Sequence, residues 1–189
     1  MFKFFLKNKK GFTLIEIIVS LALFMTVVFI GTGAVLSIFD ANRKSQSLRA
    51  VMDNLNSTLE SMTRSIRFGY NYHCDINQGS ISSPRDCGLN NSANSIVFTA
   101  PNGTRVVYKL SGNQIVRTIE GGPEYPMTSS DVTITSLAFR VFGSTSYSDG
   151  DLLQPQVIIV LRGYAGTKSS SQSTFSLETT VSQRIFDSQ

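Results

Sequence analysis

Apolar residues are crowded near the N-terminus of this chain and then settle into two different rhythms. From Ile17 to Phe39 there are 23 residues and no charge. As a helix rising about 1.5 Å per residue, that run covers roughly 34 Å, enough to cross a bilayer with some tilt. Thr26, Gly31, Thr32, Gly33 and Ser37 interrupt it mildly. A buried core helix is the alternative, and the length and lack of charge argue against it. Beyond Phe39 the chain turns polar, but Leu48, Met52, Leu55, Leu59, Met62 and Ile66 recur at helical spacing, with Arg49, Asn54, Ser57 and Arg64 off the stripe. No proline precedes Pro84, and Gly69 is a helix stop. The pattern predicts one helix from about Thr13 to Phe68, apolar all round in its first half and amphipathic in its second. A dimeric coiled coil would also use such a stripe. Its extent of only about three heptads favours packing on a sheet of the same chain.

The rhythm then changes to alternation. Ser95–Ala100, Thr104–Leu110 and Gln114–Ile119 read as strands separated by Pro-Asn-Gly and Ser-Gly-Asn, the signature of tight hairpins in an antiparallel meander. Val132, Ile134, Phe139 and Val141 mark a further strand, and Val157–Gly163 and Thr174–Arg184 add two more. Strands that bury one face need a cover, which the helix stripe supplies. The expected fold is α+β: a long N-terminal helix, membrane-spanning in its first half, packed on an antiparallel β-sheet. The expected organisation is a basic segment at 1–11, a transmembrane helix at 12–39, an amphipathic helix at 40–68 and a β-rich domain at 69–189.

Charge changes the picture at one end only. The formal charge is +4, from 17 basic and 13 acidic residues. Lys3, Lys7, Lys9 and Lys10 all precede the apolar run, so without residues 1–11 the 13 remaining cations balance 13 anions. The lysines read as a positive-inside signal, leaving the N-terminus in the cytoplasm and everything after Phe39 outside. Export would place Cys74 and Cys87, which enclose 12 residues of a polar loop, in an oxidising compartment. A disulfide there would stabilise by about 3 kcal/mol; two free thiols are the alternative. His73 beside Cys74 does not make a zinc site, because too few soft ligands lie nearby and the spacing matches no common finger.

The apolar run is too long for a routine cleaved signal, and no Ala-x-Ala pattern follows it. A plain signal anchor leaves Glu16 unexplained. A carboxylate facing lipid costs about 2.5–3.5 kcal/mol on insertion scales, so it needs a partner or a function. No Lys or Arg follows it within two helical turns. A Glu snorkelling to the interface is the bland reading.

The stretch Lys-Lys-Gly-Phe-Thr-Leu-Ile-Glu-Ile-Ile-Val-Ser-Leu-Ala-Leu-Phe, Lys9–Phe24, resembles the N-terminus of type IV prepilins and type II secretion pseudopilins. That resemblance implies that Gly11 ends a leader cut by a prepilin peptidase and that Phe12 becomes a methylated N-terminus. It implies that Glu16 is the fifth residue of the mature chain. The new amine, four residues before Glu16, would then lie beside the carboxylate of a neighbouring subunit, where low dielectric strengthens the attraction and sets one axial register. Local unwinding near Gly31–Gly33 is a further implication, although the Pro common there in pilins is absent. Residues 128–184 resemble the strand series of larger minor pilins and J-like pseudopilins; residues 70–95 resemble nothing specific. The implied partners are other pilins or pseudopilins, prepilin peptidase and an inner-membrane assembly platform. The implied location is the cytoplasmic membrane, single-pass, and then an extracytoplasmic filament.

Chemistry is sparse elsewhere. There is one His, and no Walker loop, GxGxxG or HExxH. No enzymatic activity and no cofactor are expected. Ser146–Asp151 could bind calcium through Asp149 and Asp151, but its carboxylates are few and no terminal Glu follows, so it reads as a solvated loop. Nucleic acid is not an expected partner, because Arg105, Lys109, Arg117, Arg140 and Arg162 are scattered over strands. Two rival functions remain: a pilus-borne adhesin or DNA-binding minor pilin using the loop Tyr70–Ala93, with Tyr70 and Tyr72 as contacts, and an anchored domain with no assembly role.

Overall fold

The computed structural model describes residues 11–88, 91–146, 150–166 and 172–184. Helix α1 runs Leu14–Phe68. It contributes to both compact units of the chain, Met1–Ser45 and Gln46–Gln189. Thr13 caps it: its hydroxyl accepts from the Glu16 amide at 3.4 Å, and its carbonyl accepts from Ile17 at 3.3 Å. The helix ends where Gly69 follows Phe68, and the Gly69 amide donates to Ile66 O at 2.9 Å. A Cβ on Gly69 would run into the Phe98 ring, so glycine serves both as helix stop and as a close-packing site.

In the unit Gln46–Gln189, two antiparallel sheets share one hydrophobic core with the C-terminal part of α1. The larger sheet has the order β1-β2-β3-β4-β5, formed by Tyr70–Cys74, Ser95–Thr99, Arg105–Ser111, Gln114–Ile119 and Tyr125–Pro126. The smaller has the order β6-β7-β8, from Val132–Phe142, Gln156–Ala165 and Ser173–Ser182. The predicted turns fall where expected. Gly103 and Gly112 take φ of 83° and 58°, the left-handed values that tight hairpins demand. The Asn102 side chain accepts from the amide and hydroxyl of Thr104 at 3.2 and 2.7 Å.

The expected α+β fold is present, with three departures from the sequence reading. The strands form two sheets where one was expected. Tyr70–Cys74, read as loop, is strand β1; its alternation is hidden by a register shift between Tyr70 and His73, where Asn71 takes φ 55°. The buried helix face is centred on Val51, Leu55, Thr58, Met62 and Ile66, while Leu48, Met52 and Leu59 are only half-buried. The face includes a hydroxyl because Thr58 donates to Met127 O at 2.8 Å. One turn earlier, Asn54 accepts from the Ser129 amide at 3.0 Å. Both bonds fasten the segment between the sheets to the helix.

Strand β7 is central in its sheet and pairs residue for residue with β8 along its length. Its buried alternation Val157, Ile159, Leu161 continues through Gly163 to Ala165. Gly163 is required there. A Cβ would meet Thr133 O, and it would stand 2.7 Å from the Phe175 ring that lies across the strand. Gly163→Ala should therefore cost about 1–3 kcal/mol by overpacking. Thermal unfolding followed by circular dichroism should show a lower Tm, with Gly79→Ala destabilising through its backbone φ of 75° but without that clash.

Candidate functional site: the N-terminal helix start and the disulfide loop

The Gly11–Phe12 bond precedes the helix, is exposed and has no regular secondary structure. From Thr13 the chain reads Thr-Leu-Ile-Glu, the S/T-x-x-E spacing of a capping box. The structure forms the Thr13 half of that box, with the Glu16 amide donating to the Thr13 hydroxyl; the sequence reading missed this, although the spacing was visible. A carboxylate in the first turn also suits the positive end of the helix dipole. Glu16 is exposed, and the first basic side chain after it is Arg43.

Every described residue from 11 to 46 is exposed, including Phe12, Leu14, Phe24, Phe29 and Ile30 at 79, 78, 61, 76 and 71%. α1 is the one described helix long and apolar enough to cross a membrane. Three of its hydroxyls are satisfied inside the helix. Ser20 donates to Glu16 O at 2.7 Å, Thr26 to Ala22 O at 2.9 Å and Thr32 to Val28 O at 3.0 Å. Back-bonding of this kind lets hydroxyls enter an apolar medium. The helix continues unbroken through Gly31, Thr32 and Gly33.

Cys74 and Cys87 form a disulfide with Cα atoms 5.9 Å apart. Its placement is structural. Cys74 ends β1, while Cys87 pairs with Val141 of β6, exchanging backbone bonds of 2.9 and 3.0 Å. The bridge thus ties the two sheets together. The loop it closes is internally fastened. The His73 ring is buried, with Nδ1 2.8 Å from Ser83 O and Nε2 2.7 Å from Gln78 O. Arg85 also donates to Gln78 O at 3.0 Å. Asp86 accepts from the amides of Gly143 and Ser144, both at 2.9 Å.

These contacts correct the reading of Tyr70 and Tyr72 as loop residues poised for a partner. Tyr70 lies half-exposed on β1, but Tyr72 is buried and donates to Ile66 O and Gly69 O at 2.7 Å each. Burial pushes the Tyr72 phenol above its ordinary range. The strand cations are also engaged in part. Lys109 pairs with Glu124 at 2.6 Å, and its hydrogen bond, followed by one from Ser111, lowers the Glu124 carboxyl from its usual range. Arg105 donates to the Ser82 hydroxyl at 3.3 Å. Of the calcium candidates, Asp149 lies outside the described residues. Asp151 accepts from the Thr145 hydroxyl at 2.8 Å and the Leu153 amide at 3.0 Å.

Breaking the sheet-to-sheet bridge has a clear expected result. Cys74→Ser with Cys87→Ser should lower stability by about 2–4 kcal/mol, seen as a lower denaturation midpoint. The oxidised wild type in reductant should move to the same midpoint. An unchanged midpoint would mean that the paired strands hold the sheets together unaided.

Residues 6–32 match the prokaryotic N-terminal methylation motif. No curated protein and no solved structure matches the chain significantly. The match covers the Gly11–Phe12 junction, Glu16 and the apolar start of α1, and nothing of the β-rich unit. The chain therefore carries the type IV prepilin-like signature at its N-terminus, ahead of a pilin-like α+β fold.

Proposed function

We propose that this chain is a minor structural subunit of a type IV pilus or a type II secretion pseudopilus. Prepilin peptidase cuts after Gly11 on the cytoplasmic side, and Phe12 becomes a methylated N-terminus. Before assembly the protein is held in the cytoplasmic membrane by the apolar part of α1, with the β-rich unit outside. An assembly platform then moves it into a filament of related subunits. Supporting this reading are the methylation motif at residues 6–32 and the exposed, non-helical Gly11–Phe12 bond.

The observation that carries the proposal is the uncovered apolar helix with a single carboxylate in its first turn. In lipid, that surface is covered by acyl chains. In a filament it is covered by the helices of other subunits, and the Glu16 carboxylate takes the Phe12 amine of a neighbour as counter-ion. Desolvating a lone carboxylate costs several kcal/mol, so a subunit out of register leaves that penalty unpaid.

The Thr-x-x-Glu spacing offers the Glu16 side chain a capping role beside its charge, and two substitutions distinguish them. Glu16→Gln keeps a capping-box residue and removes the charge; Glu16→Ala removes both. Both variants should be processed normally, and both should fall by about tenfold or more in the sheared filament fraction, measured by quantitative immunoblot. Normal incorporation of Glu16→Gln with loss of Glu16→Ala would assign the residue to the helix cap instead. Normal incorporation of both would contradict the charge-docking account.

A further inference from the structure

The last turn of α1 and the exit of β8 together build a cationic groove. It is about 610 Å³, lined by Glu60, Thr63, Arg64, Arg67, Phe68 and Arg184. Three of the 13 basic residues beyond residue 11 gather here, in a stretch of chain whose formal charges sum to zero. Glu60 is the one carboxylate in the lining, and it is bound to Arg64 at 3.2 Å. Among the described residues, neither Arg67 nor Arg184 forms an ion pair.

The gathering is fixed by the fold. Arg64 and Arg67 are three residues apart on a helix, so they share a face. Arg184 is brought to them by its own backbone: its amide donates to Arg67 O at 2.8 Å. Its guanidinium is then held over the Phe68 ring, 5.3 Å from the centroid, a cation–π arrangement. Like charges at this spacing repel, and Glu60 offsets only one of them. An anion entering the groove relieves that repulsion.

We propose that this groove is a binding site for a phosphate group. Guanidinium forks donate in pairs to phosphate oxygens, and a phosphate oxyanion offers acceptors enough for several forks at once. Among the described residues, the surplus of two positive charges matches a phosphate dianion. The inference is independent of the assembly role proposed above.

The test uses the full chain in uncharged detergent micelles, labelled with ¹⁵N-arginine. Inorganic phosphate is titrated at neutral pH and constant ionic strength while the arginine Nε–H resonances are followed. Saturable shifts of Arg64, Arg67 and Arg184 in the millimolar range are expected. They should weaken with added salt, and Arg67→Gln with Arg184→Gln should lose at least about tenfold in affinity. Arg67→Gln alone leaves the Arg184–Phe68 contact in place and should still weaken binding. Arg49→Ala, elsewhere on α1, should leave it unchanged. A short single-stranded oligodeoxynucleotide and phosphatidylglycerol vesicles, each tested with the same variants, then report whether a phosphodiester strand or a lipid headgroup is the source. Three outcomes overturn the proposal: no saturable shift, an equal response to chloride, or arginine-dependent binding of poly-glutamate without binding of phosphate. The last would make the groove a docking site for carboxylates of an acidic protein.

Discussion

An apolar helix surface with one carboxylate near its start governs what this chain can do. Residues 11 to 46 are exposed throughout, and many carry large apolar side chains. Roughly 0.8 kcal/mol per buried CH₂ is at stake when such a surface leaves water, so it is covered wherever the protein resides. The hydroxyls of Ser20, Thr26 and Thr32 are bonded back to the helix, which lowers the polar obstacle to an apolar setting. Glu16 is the exception: the cap at Thr13 uses its backbone amide, and its side-chain charge remains to be neutralised. Lipid supplies the cover but no counter-charge. A bundle of similar helices with cationic N-termini supplies both.

The β-rich unit solves a different problem, that of joining two small sheets into one stable body. Neither sheet has an isolated core; their buried residues form one cluster with Val51, Leu55, Met62 and Ile66 of α1. The covalent tie between the sheets lies around Cys74, Cys87 and Asp86, and a separate hydrogen bond crosses where the Ile134 amide of β6 donates to Asn113 O in the β3–β4 turn at 2.9 Å. Buried polar groups do the rest of the fastening, with Thr58 and Asn54 holding the linker between β5 and β6, and Tyr72 holding the end of the helix. The N-terminal signature is thus joined to a body whose surface is free to be specialised, and the groove of Arg64, Arg67 and Arg184 is one such specialisation.

Much of this was legible in the residues. The charge-free run and the period of apolar positions foretold a helix from about Thr13 to Phe68, against an observed Leu14–Phe68. Pro-Asn-Gly and Ser-Gly-Asn located the hairpins because only certain residues tolerate their backbone angles. What escaped was encoded in contacts distant along the chain. Strand β1 was hidden because Asn71 and a register shift break its alternation. The exact buried stripe was hidden because Thr58 and Asn54 earn their inward positions from backbone partners some 70 residues away. The arginine groove joins residues 64 and 67 with residue 184, and no local pattern announces that. The Thr13 cap, by contrast, was written plainly in Thr-x-x-Glu and was overshadowed by the resemblance that drew attention to the Glu16 charge.

The counter-ion proposed for Glu16 exists only if a new amine is created at Phe12. Intact-mass and N-terminal peptide mass spectrometry on protein isolated from its native membranes and filaments tests this most directly. The account predicts a chain that begins with N-methylated Phe12 and lacks residues 1–11. A native chain that still begins at Met1, in material that nevertheless assembles, would contradict it.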